Sequence, residues 1–259
     1  MRVKIALGIE YHGTAYHGWQ KQPACESVQE TLEQALSVVA GEPIEVHCAG
    51  RTDAGVHAIA HVVHFDTHAI RADHAWMLGG NMYLPPTIRV KWAKGVPEDF
   101  HARFKALKRR YHYWIYNAPT ASAILYRRVT WHVQPLDENL MQEAVNVLLG
   151  EHDFSSFRGR DCQASSPIRT IYSAQIKRHR EFLCLDICAD GFLHHMVRNI
   201  VGVLFKVGNG KEKPDWTATV LASKDRTQAA MTAPPDGLYL ANITYPDHYH
   251  IPYIPMLAF

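Results

Sequence analysis

The sequence predicts an α+β fold built from two units, each with a mixed or antiparallel sheet and helices on one face. Alternating apolar residues predict strands in both halves of the chain, and amphipathic stretches predict helices between them. A weak internal repeat supports two related units. The matching dipeptides stand at the same offset in the two halves, Gly41-Glu42 with Gly50-Arg51 and Gly150-Glu151 with Gly159-Arg160. We expect the units to span residues 1–105 and 106–259.

In the first half, alternation predicts strands at residues 3–9, 44–48, 59–66 and 88–92, and amphipathic spacing predicts helices at residues 27–40 and 71–78. The first helix has well-defined ends, because Ser27 and Glu30 have the spacing of a capping box and Gly41 favours a left-handed stop. The strand at residues 3–9 is expected to be half-buried, since large apolar side chains alternate with Lys4, Ala6 and Gly8.

The second half shows the same style of alternation and capping. Strands are predicted at residues 110–117, 168–177, 182–189 and 238–245, and helices at residues 137–149, 194–207 and 216–222. Asp137 is the expected N-cap of the first of these helices and Gly150 its stop, while Gly208 ends the second. The tail at residues 250–259 is apolar but broken by prolines, so it is predicted to be neither a helix nor a central strand.

Composition indicates a globular protein of the cytoplasm. The chain has 259 residues, of which 47% are hydrophobic and 20% charged, and these values exclude collagen-like, disordered and coiled-coil classes. No stretch approaches the ~20 apolar residues of a membrane span, and the N-terminus does not resemble a signal peptide. The five cysteines are an odd number without a C-x-x-C pair, so neither a disulfide framework nor a thiolate metal site is expected.

Basic residues cluster locally although the net charge is only +2. Five of them lie between Arg103 and Arg110 without an acidic residue among them, and the aromatic run from Tyr111 to Tyr116 follows directly. Basic patches with interleaved aromatic residues suit phosphate contact and base stacking, and they favour a nucleic-acid partner. The alternative is a solvated strand edge whose lysines and arginines serve solubility.

The segment Gly50–Ala58 is the most informative candidate for chemistry. Its two glycines, Gly50 and Gly55, bracket a short polar turn between two predicted strands. Asp53 on such a turn can project into a cleft, and the nearby guanidinium of Arg51 would keep it ionised and ready to act as a nucleophile or a base. The alternative is an Asx-turn in which Asp53 only caps its own loop.

This segment, Gly50-Arg51-Thr52-Asp53-Ala54-Gly55-Val56-His57-Ala58, resembles the signature of the tRNA pseudouridine synthase A family. Further blocks of the chain resemble the same family in the same order, so the resemblance covers essentially the whole sequence. These blocks are Tyr16-His17-Gly18-Trp19-Gln20, Phe100-His101-Ala102-Arg103-Phe104, Arg109-Arg110-Tyr111-His112-Tyr113, Phe154-Ser155-Ser156-Phe157 and His194-His195-Met196-Val197-Arg198-Asn199-Ile200-Val201-Gly202.

The resemblance implies two pseudo-symmetric α+β units with an RNA-binding cleft between them. It also implies an isomerase that acts on uridine at positions 38, 39 and 40 in the anticodon stem-loop of tRNA, without a cofactor or a metal. The nucleophile of the family corresponds to Asp53, and the base-flipping arginine to Arg51. The active-site tyrosine corresponds to Tyr111, and the arginine that pairs with the nucleophile to Arg198.

The resemblance implies RNA contacts as well. Arg71 and Arg103 resemble the tRNA-contacting arginines of the family, and Tyr111 is expected to contact the substrate base. The remaining expected contacts are the rest of the Phe100-His101-Ala102-Arg103-Phe104 block and the loop Asp161-Cys162-Gln163-Ala164-Ser165. That loop carries little positive charge, so its location but no individual side-chain role is inferred.

The reaction breaks the C1′–N1 bond, rotates the uracil and joins C1′ to C5. It needs no redox partner and no energy source, and the chain has no dinucleotide-binding or phosphate-binding fingerprint. A carboxylate can attack C1′ or C6, or it can assist glycosidic cleavage by removing a proton. The sequence does not choose among these. The target base is stacked, so it must be flipped out, and an arginine can fill the space that it leaves.

Two other functions compete with this interpretation. A non-catalytic RNA-binding module could also use two α+β units with basic and aromatic strands, although a carboxylate in its basic cleft would repel phosphate. A metal-dependent hydrolase could use some of the 17 histidines, and His57, His61 and His64 have ligand-like spacing. A strand at residues 59–66 would direct His61 and His64 to opposite faces, which favours polar and stacking roles instead.

We also expect a homodimer in which one tRNA touches both subunits. The resemblance implies this assembly, and the weakly charged apolar tail at residues 251–259 needs a cover. Packing of the tail on its own subunit is the alternative.

Overall fold

The chain forms ten strands and five α-helices within residues 2–254, the part that the computed structural model describes. The strands are β1 (Val3–Tyr11), β2 (His47–Cys48), β3 (His57–Thr67), β4 (Ile88–Val96), β5 (Lys108–Asn117), β6 (Thr130–His132), β7 (Gly150–Asp153), β8 (Ile168–His179), β9 (Phe182–Ala189) and β10 (Leu238–Thr244). The α-helices are α1 (Val28–Ala40), α2 (Asp73–Tyr83), α3 (Glu138–Asn146), α4 (Met196–Gly208) and α5 (Trp216–Ser223). The predicted α+β class is confirmed.

The first unit comprises residues 2–107 together with residues 239–254. Its sheet has β1 in antiparallel pairing with both β3 and β4, while β10 runs parallel to β3 and the short β2 pairs with β3. Helices α1 and α2 pack together, and α2 packs against β4. Fully buried side chains such as Leu7, Ile9, Leu36 and Phe65 form the core of this unit.

The second unit comprises residues 108–238. Strands β5, β9, β8 and β7 pair in that order in an antiparallel arrangement, and β6 adds a parallel pairing to β5. Helix α3 packs against α4 and against β8. The apolar stripe predicted for α4 is buried, and Ile200 and Leu204 have no exposed surface.

The observed division differs from the expected one at the C-terminal end. The first boundary lies at residues 107 and 108, close to the expected 105 and 106, but the chain from Tyr239 onwards groups with the first unit. Parallel pairing with β3 explains this, because Tyr239 is paired with His57 and Leu240 with Ala58. A pairing between segments so far apart in the chain leaves no local pattern in the sequence.

Most predicted elements are present, with ends that shift by a few residues. The predicted capping of α1 is confirmed, since Ser27 Oγ accepts the N–H of Glu30 at 3.3 Å and Gly41 has a φ of +73°. The strand predicted at residues 44–48 is wrong for its first half. The backbone N–H groups of Ile44 and Val46 are bonded instead to side chains of α1, so they take no part in a sheet.

Three other expectations need correction. Residues of β1 are buried on both faces rather than one, because the small Ala6 and Gly8 leave room for a covering layer. A Cβ at Gly8 would lie 2.0 Å from the indole nitrogen of Trp92. Helix α2 continues to Tyr83 rather than ending at residue 78, and α3 ends at Asn146 rather than at residue 149.

No helix in residues 2–254 is long and apolar enough to cross a membrane. The apolar tail considered above is described only as far as Ile254, which is buried. Its last residues, 255–259, lie outside the described residues.

Candidate active site

Asp53 lies on the loop that connects β2 to β3. The carbonyl oxygen of Asp53 accepts the N–H of Val56 at 3.1 Å, which closes a tight turn. Gly55 within this turn has a φ of +79°, a conformation that favours glycine. The predicted glycine-dependent turn is therefore confirmed. The side chain of Asp53 is half-buried, and that of its neighbour Arg51 is exposed.

A second loop, residues 12–20, packs its backbone directly against the loop of Asp53. The N–H of Trp19 donates to the carbonyl oxygen of Thr52 at 3.0 Å, and the N–H of Gly55 donates to the carbonyl oxygen of Tyr16 at 3.3 Å. A Cβ at Gly13 would lie only 1.9 Å from the carbonyl oxygen of Val56. This close approach requires glycine, and it holds the backbone on either side of Asp53 in one position.

The segment from Phe100 to Phe104 divides into buried and exposed residues. Phe100 and Ala102 are buried, and the backbone of Ala102 is held at both of its polar groups. Its N–H donates to Nδ1 of His64 at 3.2 Å, and its carbonyl oxygen accepts the hydroxyl of Tyr245 at 2.6 Å. Burial argues against the expected direct RNA contact for the side chains of Phe100 and Ala102, which instead anchor the segment.

The exposed part of this segment combines a cation with aromatic rings. Phe104 is 74% exposed, its ring centroid lies 4.3 Å from that of His101, and Cζ of Arg103 lies 5.6 Å from the Phe104 centroid. Nδ1 of the half-buried His101 accepts the N–H of Arg103 at 3.1 Å. An exposed aromatic ring beside a guanidinium suits an unpaired base or a phosphate. Arg71 is also exposed, and its guanidinium donates to the carbonyl oxygen of Ile70 at 3.0 Å.

In the second unit, Tyr111 lies on β5 opposite Ile187 of β9. Its side chain is largely buried, and its ring contacts Phe192 edge-on with centroids 5.1 Å apart. Tyr113 and Ile115, two and four residues further along the strand, are also buried. Tyr111 therefore belongs to the buried series of alternate residues on β5 together with Tyr113 and Ile115.

Arg198 lies in the first half of α4 and is half-buried. Its Nε donates to the carbonyl oxygen of Ala233 at 2.8 Å, and its own carbonyl oxygen accepts the N–H of Ala233 at 3.1 Å. The helix begins after His195, whose φ of +61° makes the chain turn sharply at this point. The guanidinium is thus held in a defined orientation by the segment that follows α5.

The loop Asp161-Cys162-Gln163-Ala164-Ser165 is held from within by Arg158. One guanidinium nitrogen of Arg158 donates to the carbonyl oxygens of Cys162 and Ala164 at 2.8 and 2.7 Å. Burial disfavours the thiolate of Cys162, but hydrogen bonds from the backbone N–H groups of Ala164 and His194, together with the guanidinium of Arg158, outweigh that effect and lower its pKa. Asp161, Gln163 and Ser165 are exposed, so they are the members of the loop that a ligand can reach.

The histidines proposed above as alternative metal ligands each use Nδ1 for a different hydrogen bond. His57 accepts the N–H of Gly13 at 3.0 Å, and His64 accepts that of Ala102 at 3.2 Å. Nδ1 of His61 lies 3.3 Å from the hydroxyl of Tyr11. Burial is the main cause that lowers the pKa of both His61 and His64 to about 3, so both rings are neutral at pH 7.

Sequence reasoning missed the residues that hold the loop of Asp53 in place. Gly13 and Gly18 approach that loop, and Thr52 is buried directly before Asp53. Gly18 lies in one of the blocks that carried the resemblance, but nothing in its neighbourhood reveals which distant backbone it approaches. The structure assigns Asp53, Arg51, Arg71 and residues 100–104 to the first unit, and Tyr111, Arg198 and residues 161–165 to the second.

Comparison with known proteins agrees with the resemblance. The family model described as tRNA pseudouridine synthase matches residues 8–105 and 144–246. The chain belongs to the tRNA pseudouridine synthase family. As a member of the tRNA pseudouridine synthase family it is an isomerase, and the expectation of an enzyme of this class is confirmed.

Several relatives in this family match along nearly their whole length. A tRNA pseudouridine synthase A of Coxiella burnetii is 53% identical over 256 residues, 99% of this chain and 98% of the relative. That of Histophilus somni is 54% identical over 98% of this chain and 94% of the relative. That of Shewanella woodyi is 54% identical over 96% of each chain.

Among solved structures, a chain from the crystal structure of a Cbf5-Nop10-Gar1 complex aligns over 89% of this chain and 56% of its own length. The TM-score is 0.34 and the sequence identity 9%, a similarity too low to support an argument.

Proposed function

We propose that this protein converts uridine to pseudouridine at positions 38, 39 and 40 in the anticodon stem-loop of tRNA. The near-full-length identity with proteins named tRNA pseudouridine synthase A supports the proposal. The observation that carries it is the loop of Asp53, whose backbone is held by hydrogen bonds and by glycine contacts on both sides of the aspartate. A nucleophile that meets one atom of a flipped base needs such a fixed position.

Asp53 is the proposed nucleophile and Arg51 the residue that fills the space left by the flipped base. The exposed guanidinium of Arg51 lies two residues before Asp53 in the same loop. A planar guanidinium stacks on neighbouring bases in a way that an ammonium cannot, which suits this role. The carboxylate attacks C1′ or C6, or assists cleavage of the C1′–N1 bond. The uracil then rotates and C5 bonds to C1′, which releases the carboxylate where it had attacked, while the C5 proton leaves and N1 gains a proton.

Tyr111 and Arg198 are the proposed contributions of the second unit to the reaction. The ring of Tyr111 provides a flat surface for the freed uracil, and its hydroxyl assists removal of the C5 proton. The guanidinium of Arg198 balances the charge of the aspartate. Its bond to the carbonyl oxygen of Ala233 supports this role, because it restricts the directions in which the guanidinium can point.

We propose that the exposed residues of the expected RNA-contacting segments bind tRNA. In the first unit these are Arg71, Arg103 and Phe104, with the ring of His101 in tilted contact with that of Phe104. In the second unit they are the exposed members of the loop at residues 161–165. Phe100 and Ala102 act through the position of their segment, since their side chains are buried.

Release of tritium from tRNA labelled at C5 of uridine tests this proposal. Wild-type protein should release tritium to water without an added metal or cofactor. Transcripts that keep uridine at only one of positions 38, 39 and 40 should each be substrates, while a transcript with none of them should not. Asp53→Asn should abolish release and leave tRNA affinity within a few-fold, because the neutral side chain has the same size. Asp247→Asn, at an exposed aspartate of the same unit, is the matched control.

Two outcomes would contradict the proposal. Turnover by Asp53→Asn would remove Asp53 as the nucleophile, and Asp161 would be the first residue to test next. Tight tRNA binding by the wild type without tritium release would favour the non-catalytic RNA-binding module.

We propose further that the protein works in the cytoplasm as a homodimer whose two subunits touch one tRNA. The family resemblance supports this assembly. An Asp53→Asn subunit mixed with an Arg103→Ala subunit should regain activity after subunit exchange if the two subunits share a substrate. A monomeric mass at working concentration would refute the dimer.

A further inference from the structure

The hydroxyl of Tyr11 contacts the side chain of the residue that immediately precedes Asp53. It lies 2.8 Å from Oγ1 of Thr52 and 3.3 Å from Nδ1 of His61. Tyr11, Thr52 and His61 are 3%, 7% and 0% exposed, so water does not compete for these bonds. Three polar side chains in the interior of the unit therefore form one connected group beside the candidate nucleophile.

The chemistry of the three groups allows a consistent chain of donors and acceptors. The ring of His61 is neutral at pH 7, because burial lowers its pKa to about 3 against the opposing effect of the Gly50 backbone. A neutral imidazole offers one acceptor nitrogen. The hydroxyl of Tyr11 can donate to Nδ1 of His61 and accept the proton of Thr52. Charged His61 would lose that acceptor.

This group complements the backbone contacts of the same loop. The carbonyl oxygen of Thr52 is already bonded to the N–H of Trp19, so Tyr11 holds the side chain of a residue whose backbone is also held. Thr52 is buried whereas Asp53 is half-buried. Fixing the side chain of Thr52 in the interior therefore restricts the backbone from which Asp53 projects.

We propose that Tyr11, Thr52 and His61 are positioning residues for Asp53 in the isomerisation. The inference rests on the proposed function, in which Asp53 is the nucleophile. Misplacement of a reacting group by about 1 Å can cost on the order of 100-fold in rate. The group acts on the aspartate and not on the RNA-contacting segments, so its loss should lower kcat and leave KM for tRNA nearly unchanged.

The matched pair Tyr11→Phe and Tyr16→Phe tests this inference. Both variants keep the ring and remove one hydroxyl from a tyrosine–threonine pair in the same unit. The hydroxyl of Tyr16 lies 2.7 Å from Oγ1 of Thr87, which precedes β4 rather than the loop of Asp53. The contact of Tyr16 with that loop uses its backbone carbonyl, which the substitution keeps. We expect kcat to fall about 10-fold or more in Tyr11→Phe, with KM within two-fold, and to stay near wild type in Tyr16→Phe.

A second pair of variants, both at Thr52, separates the effect of the hydroxyl group from the effect of side-chain packing. Thr52→Val keeps the shape but removes the hydroxyl, and it should lower kcat as Tyr11→Phe does. Thr52→Ser retains the hydroxyl and should restore most of the activity. The double variant Tyr11→Phe with Thr52→Val should be little worse than either single variant, because both remove the same bond.

The outcomes distinguish this inference from the proposed function. If Asp53→Asn is inactive but Tyr11→Phe has the kcat of Tyr16→Phe, the positioning role is overturned and the function stands. If Asp53→Asn remains active, the function fails first. Equal losses of kcat in both tyrosine variants, with equal falls in thermal midpoint, would show a structural role only and would overturn the inference.

Discussion

Gly18 approaches the carbonyl oxygen of Thr52 so closely that a Cβ at position 18 would lie 2.7 Å from it. Gly18 also has a φ of +90°, which disfavours every residue with a side chain. The adjacent N–H of Trp19 donates to the same oxygen. One glycine thus lets two loops from different parts of the chain share a backbone contact next to the candidate nucleophile.

We expect Gly18→Ala to lower kcat at least about 10-fold, because the new methyl group must push the loop of Asp53 away. Gly41→Ala is the matched control. Gly41 also has a positive φ, +73°, but a Cβ there would meet nothing within 4 Å. Both variants should lose roughly 1–2 kcal/mol of unfolding free energy from backbone strain. Steady-state kinetics with tRNA and urea unfolding measure the two effects, and equal kcat in both variants would contradict the prediction.

Arg198→Lys should impair turnover while the fold stays intact. Lysine has a single side-chain nitrogen, so it cannot keep the bond to the carbonyl oxygen of Ala233 and also present a planar guanidinium. We expect kcat to fall about 10-fold or more, and the unfolding free energy to change by less than about 1 kcal/mol. Single-turnover rates at saturating enzyme report the first quantity. A near wild-type rate would remove Arg198 from the reaction.

Arg103→Ala should weaken tRNA binding and reduce its dependence on salt. Each phosphate contact that is lost should flatten the plot of log affinity against log salt by about one unit. Lys105→Ala is the control, since the ammonium of Lys105 lies 3.1 Å from a carboxylate oxygen of Asp99 and is partly neutralised there. Filter binding between about 50 and 200 mM salt measures both slopes. An unchanged slope for Arg103→Ala would place this residue outside the RNA path.

Mild acid should destabilise the first unit through its buried histidines. Burial is the main cause that lowers the pKa of His61 and His64 to about 3, and nearby Lys4, His47 and His101 disfavour the charge on His64 as well. The unfolded chain takes up protons near pH 6.5, whereas the folded chain does so only near pH 3. The contribution of the two neutral histidines to the unfolding free energy is therefore complete above pH 6.5 and is lost progressively as the pH falls from 6.5 towards 3.

Urea unfolding at pH 7.5 and pH 5 tests this dependence. Each histidine should account for about 2 kcal/mol of the difference between the two conditions, since one pKa unit corresponds to about 1.4 kcal/mol. His64→Gln should reduce the difference, while His17→Gln, at an exposed position, should leave it unchanged. Equal differences in the wild type and His64→Gln would mean that His64 does not carry the effect.

Much of the local structure could be predicted because its causes lie within a few residues. Ser27, Glu30 and Gly41 mark the ends of α1 by hydrogen bonds and backbone angles that depend only on neighbouring residues. Predictions failed where a distant group competed. Ile44 and Val46 have strand-like sequence, but Ser37 and Glu33 on α1 bind their N–H groups.

The same distinction between local and distant causes applies to the candidate site. Asp53 and its glycine turn were apparent from the sequence, since the turn is local and the resemblance covers the chain. The contacts that the loop of Asp53 makes with Gly13, Gly18 and Tyr11 could not be predicted from the sequence, because each joins segments about 30 or more residues apart. Side-chain roles in residues 100–104 also depended on burial, which separated Phe100 and Ala102 from Arg103 and Phe104.

By itself, the sequence determined the α+β class, most strands and helices, the family and the residues expected to carry the chemistry. These follow from periodicity, capping and motif order, which local interactions produce. Only the tertiary structure decided that the final strand returns to the first unit. It also decided that Gly13 and Gly18 let their loop pack closely against the loop of Asp53, and that Tyr11 forms a hydrogen bond with Thr52. Such contacts arise from close packing between distant segments, and packing depends on shape in three dimensions rather than on the order of residues along the chain.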